Sequence, residues 1–233
     1  MKKILGVITA RGGSKGIPGK NIKDFGGKPL IVYTIEVAQK SELITDFIVS
    51  TDDQEIAEVA KQYGAEVPFI RPAELAKDDT PTLPVIQHAV QYMEAQRGYH
   101  YDYIVTLQPT SPFRTPQDID RAIQLIDTEQ ADSAVSMVAV PSTFHPIKMK
   151  KLDGTKVLPY CMPEPEGIRR QDFPKVYRRS SSVYVSRRDL VINDNLFFGE
   201  KVVGYEVPIE SFADIDTQQD WDEAEKKILK MSK

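Results

Sequence analysis

Short apolar runs alternate with helical segments along the first 140 or so residues, and this alternation limits what the chain can fold into. Lys3 to Thr9 is a short continuous apolar run, as a strand buried on both faces shows. Lys28 to Lys40 (KPLIVYTIEVAQK) fits a helix. Phe47 to Ser50 is another strand, followed by STDDQEIAEVAKQYG. There Thr51 or Asp52 is placed to cap a helix, Glu55 falls near the capping-box position, and Gly64 is the stop. Glu66 to Ile70 reads as a third strand, Leu83 to Gln96 as a helix and Tyr103 to Leu107 as a strand. Pro116 to Glu129 comes next as a helix with proline in its first turn, and Ser133 to Val138 as a strand. Strands separated by helices imply an α/β protein whose mostly parallel sheet is covered on both faces.

The pattern then changes. Val140 to Arg179 is rich in Pro, Lys and Arg, has no helical period, and reads as an insertion of short strands and loops. Val183 to Val185 and Val202 to Val207 return to strand character, and Asp216 to Lys230 is an amphipathic C-terminal helix. The expected division is therefore a core over 1–139, an insertion over 140–179, and a return to the core over 180–233. With 233 residues, 41% of them hydrophobic, the chain can bury one sizeable core. The 30 basic and 34 acidic residues leave a formal charge of −4, which argues against general nucleic-acid binding. A single Cys excludes an internal disulfide and suits a reducing compartment. The apolar run at the N-terminus stops at Arg11, shorter than a signal peptide requires, and no stretch approaches a membrane span. The expectation is a cytoplasmic protein.

In open α/β sheets, ligands bind beyond the carboxyl ends of the strands. ARGGSKGIPGKN, Ala10 to Asn21, occupies that place after the first strand. It is not a P-loop, because Asn21 comes after Gly19-Lys20 and Ser14 stands where the first glycine belongs. It is not a dinucleotide fingerprint either, because the glycine spacing is wrong and Pro18 stiffens the end of the loop. It makes sense as a triphosphate cradle. Glycines let backbone N–H groups approach phosphate oxygens, Arg11 offers a fork and Lys20 a point charge. The alternative is a surface loop with solvated lysines. RPAEL brings Arg71 to the same end, QPTSPFR brings Gln108, Thr110, Ser111 and Arg114, and FADIDT brings Asp214 and Asp216. In an extended segment these two carboxylates share a face, a pair that suits Mg²⁺ completed by phosphate oxygens and water. The alternative is that Asp216 caps the final helix and Asp214 is solvated.

Other residues carry less. STDD reads mainly as a helix cap, His88 as structural, and His100 and Cys161 lack a recognisable partner pattern. His145 is ambiguous beside Lys148. The cluster Arg169, Arg170, Lys175, Arg178 and Arg179, without aromatic interleaving, suits an anion site or subunit contact better than nucleic acid.

In order along the chain, ARGGSKGIPGKN, STDDQEIAE, RPAELA, LQPTSPFR, FHPIK, NLFF and DIDTQQDW make the sequence resemble the acylneuraminate cytidylyltransferases, including their relatives for legionaminic and pseudaminic acid. The resemblance runs over nearly the whole chain. It implies a Rossmann-like sheet of the nucleotide-diphospho-sugar transferase type with a small dimerisation extension. It also implies a reaction: with Mg²⁺, the anomeric hydroxyl of a nonulosonic acid attacks the α-phosphate of CTP, giving a CMP-sugar and pyrophosphate. Arg11 and Lys20 match the family's triphosphate ligands, with Gly12, Gly13, Ser14 and Lys15 in the same loop. Asn21, Arg71 and Thr82 fall at nucleoside positions. Gln108 falls at a sugar contact, and Lys148, Arg170, Tyr184, Phe197 and Phe198 fall on or near the sugar pocket. Asp214 and Asp216 match the metal pair. The 140–179 segment resembles an extension that reaches into the partner's site, so Lys148 and Arg170 are expected to serve the neighbouring subunit of a homodimer. One departure stands out. Many relatives carry Asn-Gly shortly before the Tyr184 position, where this chain has Ser180-Ser181 in RRSSSVYV. That bears on the acyl sugar and leaves the CTP side untouched. Rival readings are an octulosonate or sugar 1-phosphate nucleotidyltransferase and a catalytically silent nucleotide-binding regulatory module.

Overall fold

A computed structural model describes residues 2–231, apart from the side chains of Arg170 and Met231. In chain order the elements are β1 (Ile4–Thr9), the hairpin β2 (Asp24–Phe25) and β3 (Lys28–Pro29), α1 (Leu30–Lys40), β4 (Asp46–Ser50) and α2 (Gln54–Gln62). Next come α3 (Thr82–Arg97), β5 (Tyr103–Leu107), α4 (Pro116–Thr128), β6 (Ser133–Ala139), and the hairpin β7 (Lys150–Asp153) with β8 (Lys156–Pro159). The chain closes with β9 (Tyr177–Arg187), α5 (Arg188–Ile192), β10 (Val202–Glu206) and α6 (Gln218–Met231).

The main sheet has the order β10-β6-β9-β5-β1-β4. β1 runs parallel to β4 and β5, and β10 parallel to β6. β9 alone runs antiparallel to both its neighbours. That reversal brings the start of β9 to the end of the sheet where β5 and β6 finish. One apolar cluster, with Ile31, Ile35, Val49 and Ile123, fills one face under α1, α2 and α4. A second, with Ile86, Val90 and Met93, lies under α3 on the other. The mostly parallel sheet with helices on both faces agrees with the sequence expectation. No helix among the described residues is long and apolar enough to cross a membrane.

Several boundaries differ from expectation for local reasons. Glu66 to Ile70 forms only isolated bridges, Ile48 to Glu66 and Thr51 to Ile70, because Pro68 lacks the N–H that a ladder needs. Lys28 and Pro29 pair in the small hairpin, so α1 begins at Leu30. Asp53, rather than Thr51 or Asp52, caps α2, its carboxylate accepting from the N–H groups of Glu55 and Ile56. β9 starts at Tyr177, earlier than the short run at Val183, because its first residues pair with Val138 and Ala139. The 140–179 segment holds the β7–β8 hairpin, solvent-exposed along its length.

A third cluster positions the site. Ile17 from the first loop, Ile215 between the two aspartates, Phe113, Phe25 and Trp221 are all buried together. Phe25 and Trp221 meet edge to face, with ring centroids 5.1 Å apart. Burying Ile17 and Ile215 contributes about 1.5–3 kcal/mol each, and it ties the glycine loop and the aspartate segment to one small core.

Candidate active site

Among the cavities at the carboxyl ends of the parallel strands, two share a wall. The first, of about 450 Å³, is lined by Arg11, Ser14, Lys20, Asn21, Arg71, Asp78, Gln108, Thr110, Asp214 and Asp216, and also by Thr82 and Ser181. The second, of about 470 Å³, is lined by Arg178, Arg179, Tyr184, Phe197 and Phe198. Thr82, Gln108 and Ser181 line both.

The glycine loop leaves β1 and turns hard against its neighbours. A Cβ on Gly12 would collide with the Asp53 side chain, and one on Gly16 with the Asp216 backbone carbonyl. Glycine is needed at both because backbone must approach there. Asp52 then pins the loop from the side, accepting from the Gly12 N–H at 3.3 Å and pairing with Arg71 at 3.1 Å. STDD thus divides its work between an α2 cap and a support for the first cavity, and the second role was not visible in the sequence. Asn21, buried, donates its side-chain amide to the Arg11 carbonyl at 3.0 Å.

Most cations of this cavity are already paired. Arg11 meets Asp78 at 3.1 Å and the Lys77 carbonyl at 3.1 Å. Lys15, exposed at the outer side of the loop, meets the other oxygen of Asp78 at 2.6 Å, and this pairing draws the Asp78 carboxyl below its ordinary value. Lys20 donates to the Ile215 carbonyl at 2.7 Å and to Asp216 at 3.3 Å. Arg71 is 5% exposed and its Nε has no hydrogen-bond partner among the described residues. Burial pushes its pKa down, opposed by Asp52. A buried donor left without an acceptor is costly, and here it belongs to a side chain that lines the cavity.

Asp214 and Asp216 stand on either side of buried Ile215, whose N–H donates to the Thr110 carbonyl at 3.1 Å. The helix cap falls to Thr217 and Asp220: the Asp220 carboxylate accepts from the Thr217 N–H at 2.8 Å, and the Thr217 hydroxyl accepts from the Asp220 N–H at 3.2 Å. Asp216 therefore contributes only its N–H to that arrangement, and its carboxylate faces Lys20. Burial first, then the Asp216 charge, raise the Asp214 pKa, against the Ser181 and Thr110 hydroxyls and Arg178. Two crowded carboxylates fit a divalent cation that takes the rest of its shell from substrate phosphates and water. They do not make an all-protein site, and no group of three or more His, Cys, Asp or Glu side chains with that geometry exists among the described residues.

The second cavity is aromatic and cationic. Tyr184 lies 6.3 Å from Phe197 and 6.0 Å from Phe198, centroid to centroid, and Arg179 stacks over Phe198 at 5.1 Å. Phe197 and Phe198 come after α5, and their backbone is held by the Ser133 and Ser186 hydroxyls, which donate to the Phe197 carbonyl. Gln108 lies on the seam. Lys148 is elsewhere: its ammonium sits 5.3 Å from the Phe173 ring in the 140–179 segment, and it lines neither cavity of its own chain. Arg170 lies outside the described side chains.

Some polar residues turn out to be structural. Arg114 is fully buried, its pKa pushed down to about 10 by desolvation. It donates to the carbonyls of Ser182 and Gln108, at 2.5 and 2.8 Å, so it fastens the end of β5 to β9 and meets no ligand. His145 is 3% exposed, bonded to the Pro174 carbonyl and the Ile147 N–H. His88 packs edge-on to Phe69. His100 pairs with Glu94, far from the site.

Among solved structures, a CMP:2-keto-3-deoxy-manno-octonic acid synthetase complexed with CTP shares this fold, with a TM-score of 0.74 over 99% of this chain and 100% of its own, at 19% identity. That likeness shows the α/β fold. The chain belongs to the cytidylyltransferase family, whose profile matches residues 5–230. A CMP-N,N'-diacetyllegionaminic acid synthase of Legionella pneumophila is 36% identical over 96% of this chain and 95% of its own length. A pseudaminic acid cytidylyltransferase of Campylobacter jejuni is 33% identical over 97% and 96%.

Proposed function

We propose that this chain transfers CMP from CTP to the anomeric hydroxyl of a nonulosonic acid of the sialic, legionaminic or pseudaminic type, releasing pyrophosphate. The observation that carries the reading is the shared wall of Thr82, Gln108 and Ser181 between a cationic cavity and an aromatic one, in a member of the cytidylyltransferase family. A nucleotide on one side and an acceptor on the other would meet across that wall.

In the first cavity Arg11 and Lys20 take the triphosphate. As charge builds on the departing pyrophosphate, a guanidinium fork and an ammonium already held in place stabilise it without reorganising. Arg71, Asn21 and Thr82, which line this cavity, hold the nucleoside. Asp214 and Asp216 would hold Mg²⁺, which supplies Lewis-acid polarisation of the α-phosphate. In the second cavity Tyr184, Phe197 and Phe198 give an apolar surface for acyl groups, and Arg178 and Arg179 answer the acceptor's carboxylate. The exposed hairpin carries Leu152 and Val157, with Tyr160 just beyond it, apolar side chains that a second copy of the chain would cover. In such a homodimer Lys148 and Arg170 would serve the neighbouring subunit. The proposed setting is the cytoplasm.

Pyrophosphate release with Mg²⁺ and CTP tests the reading, run against N-acetylneuraminic, legionaminic, pseudaminic and 3-deoxy-octulosonic acids, with GTP and UTP as controls. Release with CTP and a nonulosonate is expected. Release with the octulosonate alone, or CTP binding without release for any acceptor, overturns it.

A further inference from the structure

Ser181 is half-buried and has φ of +58°, a left-handed conformation that a side chain with Cβ adopts at a cost. It sits in a bulge of β9. Between the paired rungs Met137–Arg179 and Val135–Tyr184, Ser136 alone faces Ser180 to Val183. The bulge is tied shut from below. The Ser136 and Ser180 hydroxyls meet at 2.6 Å, Ser180 Oγ donates to the Ser136 carbonyl at 3.2 Å, and the Val183 N–H donates to Ser136 Oγ at 2.9 Å. Arg114 clamps the next carbonyl, that of Ser182. The backbone of Ser181 therefore has no freedom to relax.

This conformation puts Ser181 on the seam of the two cavities. Its carbonyl accepts from the Ser111 hydroxyl at 3.3 Å, and its own hydroxyl accepts from Tyr184 Oη at 3.4 Å. Asp214 lines the first cavity together with Ser181. A glycine would meet the backbone requirement with less strain and would leave the seam without a hydroxyl.

We infer that Ser181 is a positioning residue: fixed on the seam between Tyr184 of the acceptor cavity and Asp214 of the nucleotide cavity, it aligns the two sides for transfer. The inference rests on the acceptor reading above only for the substrate used in the assay. Strain maintained at a site is an observation that points to use, since a strain-free residue is one substitution away.

The experiment compares Ser181→Gly and Ser181→Ala, each alone and with Tyr184→Phe. Ser181→Gly is expected to raise the melting temperature by about 2–4 °C, as relief of one strained residue does in a chain of this size, and to lower kcat about tenfold with a several-fold rise in the KM for CTP. Ser181→Ala keeps the strain, so it should lose the same activity without the gain in melting temperature. Adding Tyr184→Phe to Ser181→Gly should cost no further kcat, because the link is already broken. Effects of Ser181→Gly and Tyr184→Phe that multiply, or a Ser181→Gly enzyme within twofold of the parent, overturn the proposal. Binding of Mn²⁺ with CTP, measured without any acceptor, separates this from the function reading. A several-fold weaker Mn²⁺–CTP complex in Ser181→Gly, with a parent silent on every acceptor, sustains Ser181 and removes the acceptor assignment. Unchanged Mn²⁺–CTP binding in that case removes Ser181.

Discussion

The two cavities share a wall and are built in opposite ways. In the first, Arg11, Lys20 and Arg71 each pair with a carboxylate, Asp78, Asp216 and Asp52. In the second, Arg178 and Arg179 make no salt bridge among the described residues and lie instead on the rings of Phe212 and Phe198, at 4.2 and 5.1 Å. A cation resting on an aromatic face keeps its hydrogen-bonding edge free, while one paired with a carboxylate must exchange partners when a ligand arrives. The first cavity is thus held in shape by counter-charges that a polyanion displaces. The second is held by packing, and leaves its donors open to a single carboxylate.

The largest test of this contrast is at the acid pair. Asp214→Asn is expected to lower the rate of pyrophosphate release by at least a hundredfold. It should also raise the melting temperature in metal-free buffer at neutral pH, because it relieves a buried charge held next to Asp216. A thermal melt and a rate assay on one preparation read both. Next is Arg71→Lys, expected to weaken CTP binding about tenfold and leave the acceptor KM within twofold, since one ammonium cannot reach both Asp52 and the cavity. Phe198→Ala is the mirror image. Acceptor KM should rise about tenfold with the KM for CTP unchanged, read from steady-state kinetics with each substrate varied. Loss on the CTP side in that variant would mean that the two cavities are not independent.

Two smaller effects sharpen the comparison. Asp78→Asn removes the counter-charge on Arg11 and Lys15, and should tighten pyrophosphate binding by about twofold to fivefold in a titration at low salt. Weaker binding would show Asp78 to be a ligand rather than a competitor. Glu94→Gln, at the far end of the sheet, is the control. Burial raises the Glu94 pKa, but Arg188, His100 and the Tyr101 N–H outweigh it and leave the carboxyl below its ordinary 4.5. A carboxyl depressed in the folded state adds stability above its unfolded pKa and loses it as pH falls through the folded one. The variant should therefore melt a few degrees lower than the parent at pH 7, with the gap closing below about pH 4.5 and kinetics unchanged.

The alternation of apolar runs was enough to place β1, β4, β5 and β6 and the helices between them, because strands buried on both faces leave a period of their own in the chain. Arg11, Lys20, Asn21, Arg71, Asp214 and Asp216 could be named because loops after parallel strands gather at one end of a sheet, and all six line one cavity. The D-I-D alternation likewise announced two carboxylates at one cavity with Ile215 buried between them. Less could be read where partners are distant. Asp52 and Asp53 are adjacent and both acidic, and only packing assigns one to Arg71 and the other to α2. Arg114 could be placed at the same end of the sheet, and only its burial between β5 and β9 makes it a clamp. Asp78 gave no signal at all, since an acidic residue in a polar loop is the commonest surface feature.

Local order, the class of sheet and the identity of the charged end belong to the amino-acid pattern, because periodicity and residue chemistry act over a few neighbouring positions. The antiparallel insertion of β9 between β5 and β6 does not. Nor does the bulge that turns Ser181 into the seam, which needs Ser136 to meet Ser180, 44 positions further along the chain, in the buried sheet. Contacts of that range exist only once the chain has closed on itself, and they decide which of its many polar groups face a ligand.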